Sequence, residues 1–392
     1  MFKEVNIMKK ALCAVISAAM ILSITACSPK TTDTVSTVSQ ESITESVQPE
    51  AVESTASDES TASIDTEETD YKLSEETSKK IDDILSENIM EGVVYITKDD
   101  KPIYQSAAGN LESGDELTID MPLPIGSVSK QFCAVSILQL RDAGSLSLDD
   151  TLEKYFPNYE KGKDITLKQL LTMRTGIPDL EGADFDFKDG GTDEENTLVV
   201  LKWLNKQPFG FAPDTNYEYS STNYFLLANI VEKVSQKSYT EYLRENIFTP
   251  LNMIQSGSIY ELKNSPDWAN GLTYSEVAEQ NIDGFAKGAG DLVCSVKDLS
   301  LWLTALKSGK VISQESYNEM TTNYSDENNY GYGIQSDLFG GIGHLGAIYP
   351  FCTAEYTNAE NSLNLIVISN NINPNEIGYI GQDIVNALSD EL

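Results

Sequence analysis

Only one histidine, His344, occurs in the chain of 392 residues. A catalytic zinc held by several histidines is excluded by that count, and a Ser-His-Asp triad would have to use this one residue. No Gly-x-Ser-x-Gly elbow is present to accompany it. Basic side chains are scarce as well: 27 Lys and Arg stand against 61 Asp and Glu, giving a formal net charge of −34. A surface of that sign repels phosphate backbones, so nucleic acid is excluded as a partner. Cysteines number five, of which three, Cys133, Cys294 and Cys352, fall in the part expected to fold. An odd number cannot fully pair, their spacing suits no metal, and each lies among apolar neighbours, so buried free thiols are expected. No metal and no cofactor follow from these absences. Gly341-Ile342-Gly343-His344-Leu345-Gly346 matches a dinucleotide fingerprint letter for letter, but a β-like segment follows it rather than a helix. Asp184, Asp186 and Asp189 resemble a calcium loop, yet Asp189 stands where the obligatory glycine belongs.

Long apolar runs are also missing. The one candidate, Ala11 to Thr25, is too short to span a bilayer and follows the basic pair Lys9-Lys10, as in an export signal. Met8-Lys9-Lys10 makes a better start to that signal than Met1. The run ends in Ile24-Thr25-Ala26-Cys27, which resembles a bacterial lipobox. That resemblance implies cleavage after residue 26 and a lipid anchor on Cys27, placing the chain on the outer face of the cytoplasmic membrane. From Ser28 to about Asp70 there is no aromatic residue, and no basic side chain lies between Lys30 and Lys72. Such a one-sided, weakly hydrophobic stretch cannot offset its ordering entropy, so 27–72 is expected to be an extended acidic spacer.

Folded structure is expected over 73–392. Ser74-Glu75-Glu76-Thr77 opens a helix, and two β-patterned runs around Lys98-Asp99-Asp100-Lys101 form a hairpin. A helical insertion covers about 127–285. Tyr330–Gln335, His344–Glu355 and Leu363–Ser369 each read as a strand, and Glu376–Leu388 as a helix. The sum is an α/β (α+β) fold: an antiparallel sheet flanked by helices, with a helical subdomain.

The chemistry centres on Gly126-Ser127-Val128-Ser129-Lys130-Gln131-Phe132, at the start of an apolar-periodic helix. Three residues of helix bring the chain back to nearly the same face, so Lys130 projects beside Ser127. A hydroxyl is a weak nucleophile until a base takes its proton, and desolvation favours the neutral lysine that can do so. Ser-x-x-Lys alone describes a capping serine and a solvated lysine equally well.

Its surroundings decide. Pro124 to Phe132, then Gly144-Ser145-Leu146-Ser147-Leu148-Asp149-Asp150, Ile165 to Thr172 with Thr175-Gly176-Ile177, Tyr217 to Tyr224 and Gly343-His344-Leu345-Gly346 run in one order. In that order they resemble the serine β-lactamase-related family, which includes class C β-lactamases, D-alanyl-D-alanine carboxypeptidases, D-aminopeptidases and some esterases. The resemblance implies a β-lactamase/transpeptidase-like fold and an acyl-enzyme on Ser127, with Lys130 moving its proton. Tyr219 would deprotonate Ser127 or protonate the leaving group, which needs a phenol pKa drawn below about 10 by the ammonium. His344 takes the place of lysine in the Lys-Thr-Gly version of the third motif and would bind or polarise substrate from a strand edge. The N–H groups of Ser127 and Ala347 would form the oxyanion hole. Ser221 stands where Tyr-x-Asn has its asparagine, and Ala347 follows Gly346 where many relatives have a second glycine. The first departure weakens the case for an efficient β-lactamase and leaves room for an esterase or a D-amino-acid peptidase, and the Ala347 methyl narrows the cleft beside the oxyanion position. The expected substrates are small molecules or peptidoglycan peptides: D-alanyl peptides, β-lactams or related amides and esters. The rival class is a penicillin or peptidoglycan sensor that does not turn over, or a pseudoenzyme.

Overall fold

A computed structural model describes residues 71–180, 183, 193–264, 269, 272, 286–325, 328–360 and 362–392. The export signal, Cys27, the acidic spacer and the Asp184–Asp189 stretch lie outside them. Among the described residues, no helix is long and apolar enough to cross a membrane.

Helix α1 (Glu75–Glu87) starts where Ser74 accepts from Thr77 N–H with its side chain. Strands β1 (Gly92–Lys98) and β2 (Lys101–Ala108) form the expected hairpin. The chain then enters β3 (Leu123–Pro124), a 3₁₀ turn at Gly126–Val128, and α2 (Ser129–Asp142). Helices follow: α3 (Leu167–Leu171), α4 (Asp193–Leu204) and α5 (Ser221–Ser235), with shorter turns between them. Strands β4 (Ser256–Ser258) and β5 (Leu292–Cys294) join β3 in a small sheet ordered β3-β5-β4. After α6 (Val296–Lys307) and α7 (Gln314–Thr321) come β6 (Gln335–Leu338), β7 (Gly341–Ile348), β8 (Phe351–Asn358) and β9 (Leu363–Ser369). Helix α8 (Pro374–Ser389) closes the chain, with Asn373 and Glu376 making a capping box around Pro374.

The large sheet is antiparallel throughout, ordered β2-β1-β9-β8-β7-β6. Its central strands are buried on both faces, which is why β9 reads as a continuous apolar run rather than an alternating one. Val94, Ile96, Leu365 and Val367 pack with Ile81 of α1 and Ile377, Ile380 and Ile384 of α8. Val93, Tyr95, Ile366 and Ile368 face the other way, into a larger core with Phe132 of α2 and Trp302 of α6. The segment at Tyr71 and Ser74 is tied to Glu391, whose carboxylate accepts from Tyr71 hydroxyl, Ser74 N–H and Ser74 hydroxyl, each at 2.8 Å.

Two strand expectations are corrected. His344–Glu355 is not one strand but parts of β7 and β8, which turn at Tyr349-Pro350. Proline has no N–H to give a ladder, and it marks the break. Tyr330–Gln335 is a loop closed by one bridge between its ends, with Gly331 N–H turned back onto Ile334 O at 2.8 Å.

Candidate active site

The 3₁₀ turn that carries Ser127 is pressed against β7. Gly126 has φ +52°, and a Cβ there would lie 2.5 Å from Ala347 N. A Cβ on Gly346 would lie 2.0 Å from Ile125 O and 3.3 Å from Ser127 N, so the two backbones touch where side chains would stand. Ser129 locks the turn from below: its hydroxyl donates to Gly126 O at 2.7 Å and accepts from Leu292 N–H of β5 at 3.1 Å.

Lys130 is fully buried, and its Nζ lies 3.1 Å from Ser127 Oγ. Nζ also donates to Ala289 O at 2.7 Å and lies 3.4 Å from Ser221 Oγ. The ring of Tyr219 presents its face to the same nitrogen, with its centroid at 4.8 Å. Ser127, Lys130, Tyr219 and Ser221, 94 positions apart in sequence at the extremes, therefore meet around one amine. Ser221 opens α5, where Asp179 accepts its N–H at 3.1 Å.

His344 also comes to this place but is only 3% exposed. Its Nδ1–H donates to Leu345 O at 2.5 Å, and its Nε2 accepts from Tyr330 hydroxyl at 3.1 Å. Those partners assign the tautomer. Burial, with the Lys130 charge adding to it, pushes the imidazole down to about 3, so the ring is neutral. Tyr219, Tyr330 and His344 rings stand within 6.2 Å of one another, centroid to centroid. The third motif thus carries no positive charge here, and its imidazole is occupied by protein partners on both nitrogens.

Beyond Gly343, no strand among the described residues pairs with this edge of β7. β6 pairs with it only at Gly341 and Gly343. Leu345 N–H points to that side, toward Gln335 Oε1 at 3.3 Å, and alternation along a strand puts Ala347 N–H on the same edge. Ala347 N lies against the Gly126 position and Ser127 N against the Gly346 position, so the two strands of backbone meet there.

Several residues were not singled out in the sequence. Tyr330 had no signal beyond a tyrosine-rich stretch. The Ala289 carbonyl has none, because any residue supplies one. Gln131, next to Lys130, donates to Glu355 Oε2 at 2.7 Å and accepts from Trp302 Nε1 at 2.8 Å. Burial pushes the Glu355 carboxyl up to about 8, against hydrogen bonds from Gln131 and the His344 backbone. A glutamate within the otherwise uncharged β8 was the available clue.

Comparison with known proteins supplies the class. The Beta-lactamase family model matches residues 78–380, and the chain belongs to that family of serine hydrolases. It is 27% identical over 326 residues to a Bacillus subtilis (strain 168) protein named "Putative penicillin-binding protein PbpX", covering 81% of this chain and 80% of that one. It is 24% identical over 279 residues to the teichoic acid D-alanine hydrolase of Staphylococcus aureus (strain MRSA252), covering 68% of each. Among solved structures, D-amino acid amidase from Ochrobactrum anthropi SV3 superposes with a TM-score of 0.67 at 23% identity, covering 80% of this chain and 99% of that chain. The β-lactamase/transpeptidase-like fold expected from the motifs is the one observed.

Proposed function

We propose that the protein cleaves D-amino-acyl esters or amides through an acyl-enzyme on Ser127, on the outer face of the cell to which a lipid on Cys27 tethers it. The observation that carries this reading is the 3.1 Å approach of Ser127 Oγ to the buried Lys130 Nζ. Neutral Lys130 takes the Ser127 proton as Oγ bonds to the acyl carbon. The oxyanion that forms is held by the N–H groups of Ser127 and Ala347, and Tyr219 passes a proton to the departing alcohol or amine. Water then releases the acid and restores Ser127.

Charge supports the choice of substrate. A peptide ending in a free carboxylate calls for a cation beside the third motif, and His344 there is neutral. An ester or amide of D-alanine brings an ammonium and no carboxylate beyond the scissile bond, and the half-buried Asp179 stands at the Ser221 end of the site. The names of the teichoic acid D-alanine hydrolase and D-amino acid amidase relatives point the same way.

The test is intact mass of the full-length chain, incubated with a D-alanyl ester or with a penicillin, beside Ser127→Ala. A D-alanyl adduct on the wild type, absent from the variant, with release of D-alanine, is the expected result. A penicilloyl adduct with no D-alanyl adduct would replace this reading with a penicillin-binding one. No adduct from either would refute an acyl-enzyme on Ser127.

A further inference from the structure

The chain that borders β7 leaves its edge at one point. β6 runs antiparallel to β7 and sets Gln335 opposite Gly343, so Gly333 would stand opposite Leu345 if the strand continued. It does not continue. Gly333 has φ +67°, and a Cβ there would lie 2.5 Å from Lys130 O, so the loop leaves the sheet and packs on α2. Gly331 N–H closes this turn on Ile334 O at 2.8 Å.

Two side chains take the place of the missing strand. Leu345 N–H donates to Gln335 Oε1 at 3.3 Å. Only the oxygen of that amide can accept, which fixes how the Gln335 side chain is turned. Leu345 O lies on the same edge by alternation, and it accepts His344 Nδ1–H at 2.5 Å. The imidazole is steadied from its other side, where Nε2 accepts from the Tyr330 hydroxyl at 3.1 Å. Both groups that Leu345 offers to a partner are therefore bonded within the protein. Ala347, two residues on, turns its N–H to the same edge.

An acyl residue that exchanges both backbone bonds with Ala347 forms an antiparallel pair with it. Past the scissile bond, such a substrate runs back along β7, first beside Gly346 and then beside Leu345. A carbonyl or carboxylate arriving there would call on Leu345 N–H and meet the amide oxygen of Gln335, one acceptor facing another. Given an acyl-enzyme on Ser127, on which this rests, we propose that Gln335 is a specificity-determining residue that closes the leaving-group end of β7 to carbonyls and carboxylates. The leaving group is then an alcohol or a simple amine, and not an amino acid or a peptide. A peptide lying along β7 as an added strand would need the two Leu345 groups that Gln335 and His344 already hold.

Two D-alanyl esters that differ in one group provide the test on the full-length chain. One is the ester of ethylene glycol. The other is the ester of glycolic acid, whose leaving alcohol carries a carboxylate in place of the second hydroxymethyl group. Adduct mass and released alcohol are followed together. Wild type should use the glycol ester faster by about tenfold or more. Gln335→Ala frees Leu345 N–H, and the ratio of the two rates should then move toward the glycolate ester by about tenfold, as one hydrogen bond to a charged group would give. The ratio is independent of how much of the variant folds. The cap itself is read without turnover, as hydrogen exchange of the Leu345 amide in ¹⁵N-leucine-labelled chain, its signal being the one lost in Leu345→Met. That exchange should be faster in Gln335→Ala by about tenfold or more. Equal use of the esters by wild type, preference for the glycolate ester, an unchanged ratio in the variant, or equal exchange at Leu345 would each overturn the role of Gln335 and leave the acyl-enzyme standing. Neither adduct nor alcohol from either ester with wild type would remove the acyl-enzyme reading, and the role of Gln335 with it.

Discussion

Lys130 and Gln131 are consecutive residues on α2, both completely buried, and they are held in opposite ways. The hydrogen bonds of Lys130 run to uncharged oxygens, namely the Ala289 carbonyl and the hydroxyls of Ser127 and Ser221. Gln131, which cannot titrate, faces the sheet and bonds to the titratable Glu355 and to the indole of Trp302. Around Lys130 these contacts are to neutral oxygens, one of them the Ser127 hydroxyl. Its buried neighbour carries the structural duty of satisfying a carboxyl and an indole. Adjacent positions of α2 thus face the Ser127 hydroxyl on one side and a polar network against the sheet on the other.

The sharpest way to break this comparison is to exchange the consequences of the two residues. Lys130→Gln keeps donors for Ala289 but cannot accept the Ser127 proton, so acylation should fall by about 10³-fold or more, read as adduct formation by intact mass. Gln131→Leu should spare the chemistry, lowering acylation by less than about tenfold, and cost about 3 kcal/mol in urea unfolding because Glu355 and Trp302 lose their partner. A collapse of acylation in Gln131→Leu with unchanged stability would erase the division of labour. Glu355→Gln should have the smallest effect and the clearest pH signature. The Glu355 carboxyl is raised from 4.5 to about 8, so between those values the folded state binds more protons than the unfolded one. Stability contributed by this group is full at low pH and is lost as pH rises through that window. Glu355→Gln should remove that decline and gain about 1–2 kcal/mol at pH 8, with little change at pH 5. Equal pH dependence in both proteins would show that the carboxyl is not the group responsible.

Much of the sheet and the Ser127–Lys130 contact was legible because local pattern and final position coincide. Ser127 and Lys130 are neighbours on a turn of chain, the hairpin of β1 and β2 is announced by its polar turn, and Ser74 caps α1 by a short-range bond. Tyr219 and Ser221 were placed by the order of motifs rather than by anything local. His344 was found but its surroundings were not: whether an imidazole meets substrate or a tyrosine hydroxyl depends on which loop folds over it, and Tyr330 arrives from outside its strand. The β7–β8 turn was missed because an apolar run on either side of Pro350 outweighed the one residue that could not join a ladder. The Ala289 carbonyl was beyond reach, since a backbone acceptor has no letter.

The knot at Glu391 has a mechanical consequence. Any pull on the chain ahead of Tyr71 reaches α1 through residues that are already fastened to the last turn of the molecule. The load is shared at once between α1 and α8, and both helices lie along the apolar face of the same sheet. The Thr77 hydroxyl first, then Ser74 and Tyr71, hold the Glu391 carboxyl down to about 2, so the fastening keeps its charge even in acid. The domain is thus gripped by both ends together, and tension that would otherwise peel one helix away must shear two from the sheet.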